Sequence, residues 1–89
     1  MTDLVLHLKR VYFEEIKAGT KTEEYRKVTE HWIKRIERRT YDRVVLLLGY
    51  PARGDESKRI VRPWRGYTRK IITHEHFGPD PVEVFAIRL

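Results

Sequence analysis

Five consecutive apolar residues, 44–48 of "YDRVVLLLGY", constrain this chain more than any other feature. A run so short reads as a strand. With no polar position to turn toward water, it expects cover on both faces. The whole chain has 89 residues, enough for one domain and too few for two. Its core is therefore thin and depends on good packing.

The remaining segments supply elements around that strand. In "LVLHLK", Leu4, Leu6 and Leu8 alternate with Val5, His7 and Lys9, a strand with one strongly apolar face. "RVYFEEIKAG" reads as a helix with Tyr12, Phe13 and Ile16 on one face. Glu14 and Glu15 are expected early in it, near its positive end, and Gly19 is expected to stop it. "TKTEEYRK" reads as a loop entering a short strand, with Glu24 and Arg26 on one face and Tyr25 on the other. A second helix is expected in "VTEHWIKRIERR", capped by Thr29, with an apolar stripe of Val28, Trp32, Ile33 and Ile36. Lys34, Arg35, Arg38 and Arg39 would gather near its negative end.

Beyond the apolar run, "PARGDES" has the vocabulary of a surface loop. Residues 58–76 read as two strands broken at Pro63 to Gly66, "FGPDP" as a turn, and "VEVFAIRL" as a closing, central strand. The order is strand, helix, strand, helix, then three or four strands. This is an α+β pattern with mostly antiparallel pairing, closed as a small bent sheet or incomplete barrel with two helices at its side.

Nineteen Lys and Arg against thirteen Asp and Glu leave a net charge of +6 and a sequence pI near 9.8. Such a balance favours polyanionic partners, RNA among them. The absence of cysteine excludes disulfides, cysteine-rich zinc sites and thiol nucleophiles, and fits a cytoplasmic protein. The opening "MTDLVLHLKR" is not expected to act as a secretory signal, and no stretch approaches the roughly 18 apolar residues of a membrane span.

Gly19, Lys21, Glu24 and Arg26 spell G-x-K-x-x-E-x-R after a strand and a helix. This pattern resembles the signature of the ASCH domain family, within the PUA-like superfamily, and the specific match covers about the first third of the chain. The resemblance implies a small PUA-like β-barrel with helices at its side and a cleft lined by the motif, with Lys9 at the strand end. Family members bind RNA or modified nucleosides there, and some relatives are enzymes: amidohydrolases that deacylate acetylcytidine, and ribonucleases. The amidohydrolases use the motif lysine, Lys21 here, a threonine three residues on, and a glutamate from a later strand, for which Glu75 is a candidate. Glu24 occupies the threonine position, so the proposed nucleophile is missing.

RNA binding is therefore the leading expectation, with no cofactor. Lys21 and Arg26 suit a phosphate or a base edge, and Glu24 suits an exocyclic amine or a pairing role with Arg26 or Lys9. As an enzyme, the chain would rely on Lys21 and Glu24, with Lys21 as a base only if burial depressed its pKa. The acid-free stretch "KRIVRPWRGYTRK" adds Lys58, Arg62, Trp64, Arg65, Tyr67 and Arg69, cations for phosphates and rings for bases. Trp64 reads equally well as a core residue. Arg53, in a loop at a strand end near Tyr50, is a further contact candidate. His74 and His76, at i and i+2 on a strand, have metal-binding spacing but lack an evident third ligand short of His7 or His31. The same pair can be read as an acid and a base for RNA cleavage. A third class of function is a protein-interaction module of phage or mobile-element origin, whose basic surface meets an acidic partner.

Overall fold

The computed structural model describes residues 2–89. Its elements run β1 (Asp3–Leu8), α1 (Arg10–Ala18), β2 (Glu23–Lys27), α2 (Glu30–Ile36), β3 (Arg43–Leu48), β4 (Arg59–Pro63), β5 (Tyr67–His74) and β6 (Gly78–Arg88). The described residues form an α+β structure, with six strands in two three-stranded sheets and three of the four strand pairings antiparallel. No helix among the described residues is long and apolar enough to cross a membrane. The chain divides into two compact units, residues 2–22, 41–64 and Leu89 in the first, and residues 23–40 and 65–88 in the second.

The first unit holds the sheet β1-β3-β4 with β3 at its centre. That position accounts for the apolar run: Val44, Val45 and Leu46 are buried, while Leu47 and Leu48 at its end are half-buried. β1 runs parallel to β3, Leu4 opposite Val44 and Leu8 opposite Leu48. A parallel pair cannot be joined by a tight turn, and here α1, β2 and α2 lie in the connection. Its register is pinned at the start by the Arg43 guanidinium, which donates to both Asp3 oxygens at 3.0 and 2.7 Å. Leu4, Leu6 and Leu8 are buried, and α1 adds Phe13 and Ile16 to the same core.

Gly19 ends α1 in the left-handed region at φ 82°, its N–H reaching the carbonyls of Glu15 and Ile16. The helix begins at Arg10, so its first turn contains no acid. Glu14 and Glu15 fall in the second turn, past the reach of the positive end expected for them.

In the second unit β6 is central, flanked by β2 and β5, both antiparallel. Val84, Phe85, Ala86 and Ile87 are completely buried, as a strand covered on both faces requires. Thr29 caps α2, its side chain accepting from the Trp32 N–H at 3.4 Å. The helix is shorter than the segment "VTEHWIKRIERR" read as helical. It ends at Ile36, and Arg38 takes a left-handed φ of 57°, so Arg38 and Arg39 lie beyond the helix.

A second correction concerns "FGPDP". Its Gly-Pro-Asp-Pro is the first part of β6, and the chain reverses earlier, in a single 3-10 turn at Glu75–Phe77 closed by Gly78 at φ 94°. Pro79 and Pro81 are tolerated because they sit at the strand's beginning, where the β5 pairing slips between Ile72 and His74.

Candidate functional site

The family-like motif divides between the units, Gly19 and Lys21 in the first, Glu24 and Arg26 in the second. Lys21 is half-buried, with its Nζ 5.4 Å from the centre of the Tyr12 ring and its N–H bonded to the Glu15 carbonyl. Glu24, opposite Ile87 on the central strand, is only 4% exposed. Its Oε2 accepts from Arg26 Nη1 at 2.6 Å, across the two-residue repeat that puts both side chains on one face of β2. The same Nη1 donates to the Tyr25 carbonyl, and the Arg26 guanidinium lies over the Trp32 ring at 5.3 Å, as Arg35 does at 5.5 Å. A buried carboxylate needs such a partner, since losing it would leave an uncompensated charge. Glu24 and Arg26 thus engage each other.

The opposite face of β2 carries a more open network. Lys70 Nζ donates to both Glu23 oxygens at 2.8 and 3.0 Å, and the Tyr25 hydroxyl donates to Glu23 Oε1 at 3.2 Å. The bond from Lys70 holds the Glu23 carboxyl below its ordinary 4.5 and raises Lys70 in turn. Burial, and then the Glu23 charge, pushes the Tyr25 hydroxyl up.

A cleft of ≈ 530 Å³ opens in the first unit, at the carboxyl ends of β1 and β3. Parallel pairing brings those two ends to one edge, so the residues that follow them meet. Lys9 and Arg10 come after β1, Gly49 and Tyr50 after β3, and Lys58 arrives just before β4. Among the described residues, three cations, Lys9, Arg10 and Lys58, line the cleft, and no acid does. Lys9 makes no ion pair among the described residues. Arg10 reaches Glu14 at 3.6 Å in an exposed pair and Lys58 reaches Asp55 at 3.7 Å in a half-buried one, both longer than a charge-assisted hydrogen bond.

An aromatic stack lines the same cleft. His7 and Tyr50 lie 4.2 Å apart, 20° from parallel. His7 Nδ1 is 2.7 Å from the Gly49 carbonyl, which can only accept, so Nδ1 carries the proton. Tyr50 itself is 87% exposed.

Of the residues singled out by sequence, Lys9 and Lys58 meet in this cleft, and Glu24 meets Arg26. Arg53 is exposed in the loop that follows β3 and does not line the cleft. Arg62 is half-buried, and its Nη1 donates to the Val61 carbonyl. Trp64 is half-buried and edge-on to Tyr41 at 5.2 Å; Tyr67 is edge-on to Phe85 at 5.5 Å. Arg65 is exposed, and its carbonyl accepts from Arg88. Arg69 is held between Glu37 at 3.2 Å and Glu83 at 3.0 Å.

His74 ends β5, but His76 lies in the 3-10 turn, where its N–H donates to His74 Nδ1. The two therefore do not share a strand face. Glu75 is exposed in the same turn. No group of three or more His, Asp or Glu among the described residues is placed to hold a metal ion.

Sequence reasoning missed Arg10 and His7 as cleft residues, and noted Tyr50 without assigning it. No local sequence signal marks them, because they meet only through the parallel pairing that brings "HLKR" and "LLGY" to one edge. Comparison with family models, characterised proteins and solved structures finds no match to this chain.

Proposed function

We propose that the protein is an RNA-binding domain of the ASCH type. One observation carries the proposal: the cleft at the ends of β1 and β3 gathers Lys9, Arg10 and Lys58, with no acid among the described residues that line it. Cations so placed neutralise phosphates and release condensed counterions. The net charge of +6 adds attraction at longer range. Binding is favoured over hydrolysis because Glu24, which stands where related amidohydrolases have a threonine, is buried and bonded to Arg26. The ASCH reading also carries the finer expectations of a PUA-like barrel and a cytoplasmic location.

The test is fluorescence anisotropy of a labelled single-stranded oligoribonucleotide at several salt concentrations. Three phosphate contacts give a log–log slope of about −2, weakening the affinity about 15-fold from 50 to 200 mM salt. Absence of binding at low salt, or binding indifferent to salt, contradicts the proposal.

A further inference from the structure

We infer that Tyr50 is a stacking platform for an unpaired base, with the adjoining phosphate held by Lys9 and Lys58. This deepens the RNA-binding reading and rests on it: it specifies which part of the nucleic acid enters the cleft, and which form is excluded.

A tyrosine 87% exposed would ordinarily be a loose side chain in water. Here one face of its ring is supported. His7 lies beneath it at 4.2 Å and 20°, and the imidazole is itself fixed by its Nδ1–H bond to the Gly49 carbonyl. Gly49 makes the arrangement possible. Its φ of 60° lies in the left-handed region, turning the chain sharply after β3. Its N–H is tied back to the Leu8 carbonyl at 2.9 Å, so the turn is anchored to the strand that carries His7. The ring's ordering is thus largely provided by the protein before any ligand arrives.

The chemistry around the platform selects its occupant. An aromatic face accepts any base, because every base has a π-face. Lys9 and Lys58 line the same cleft and supply the charge for a backbone phosphate. The cleft, at ≈ 530 Å³, falls within the range of small-ligand sites. A duplex keeps its bases stacked on one another and cannot offer one to Tyr50 without unstacking. The ligand class is therefore single-stranded RNA, or an unpaired loop or end.

The experiment compares wild type with Tyr50→Ala and Tyr50→Trp, titrated with a single-stranded oligoribonucleotide and with a blunt duplex of the same sequence at low salt. Circular dichroism confirms that the exposed substitutions leave the fold intact. Tyr50→Ala is expected to weaken single-strand binding about 10-fold and leave unchanged the weaker, purely charge-driven duplex binding, which does not use the platform. Tyr50→Trp is expected to stay within about 2-fold of wild type, since it keeps a stacking face. Salt-sensitive binding that is equal for both RNAs and unmoved by Tyr50→Ala overturns the platform while the RNA-binding reading stands. Failure of wild type to bind either RNA removes both.

Discussion

Arg26 and Lys9 are both cations that follow from a short polar stretch of sequence, yet the fold uses them in opposite ways. In the second unit Arg26 bonds Glu24 at 2.6 Å, covers Trp32, and is largely withdrawn from water. In the first unit Lys9 is exposed and lines a cleft whose other cations meet their carboxylates only at 3.6 and 3.7 Å. The difference follows from strand position. β2 lies against the central strand of its sheet, so any charge on its inner face must bring its own counter-charge. The cleft forms where strands stop, and charges there keep their hydration. Residue type alone does not distinguish a structural cation from one available to a ligand. The groups each cation bonds do.

The comparison breaks most visibly at Glu24. Glu24→Ala leaves Arg26 without its carboxylate and is expected to destabilise the fold by about 3 kcal/mol, read as a lower urea midpoint. Replacing both partners with apolar side chains, Glu24→Leu with Arg26→Met, should recover most of that loss. A cost for Glu24→Ala below about 0.5 kcal/mol, as at an ordinary surface position, contradicts the closed pair described here.

At the cleft the expected pattern is reversed. Lys9→Ala with Lys58→Ala should leave the urea midpoint unchanged. It should weaken single-strand binding about 10-fold at low salt and flatten the log–log salt slope by about 1.4, for two lost phosphate contacts. An unchanged slope would place the phosphates elsewhere.

The smallest effect belongs to the outer face of β2, where Glu23 and Lys70 form an intermediate case, bonded but partly exposed. The Glu23 carboxyl is depressed below 4.5 in the folded protein, first by the bond from Lys70. The pair's stabilisation is therefore fully present above that ordinary value. It disappears as pH falls from there through the folded-state value. Thermal melts across pH 6 to 3 should show a downward trend that is shallower in Glu23→Gln. Identical trends in the two proteins contradict the assignment.

Much of the architecture was legible because it rests on local rules. Gly19 stops a helix and Thr29 starts one through contacts within a few residues. Pro63 to Gly66 interrupts two strands, and the run at residues 44–48 required a covered strand. What was not legible depended on distant partners. Gly-Pro-Asp-Pro has turn vocabulary, but pairing with β5 extends it into β6. The acid-free stretch at residues 58–70 suggested cations available to phosphates. In the fold its Arg69 and Lys70 are neutralised by Glu37, Glu83 and Glu23 from other elements. The stack of His7 on Tyr50 joins a β1 residue to one just past the end of β3, and no local pattern encodes the parallel register that brings those ends together. Glu24 and Arg26 were correctly placed on one face, but their mutual bond makes them partners first.

The most direct test of the central claim, that RNA enters at the ends of β1 and β3, is a titration of isotopically labelled protein with a single-stranded oligoribonucleotide, followed by backbone amide shifts. The account predicts that His7, Lys9, Arg10, Gly49, Tyr50 and Lys58 move first and furthest. Shifts concentrated in Glu23–Lys27 with those six amides unmoved would contradict it.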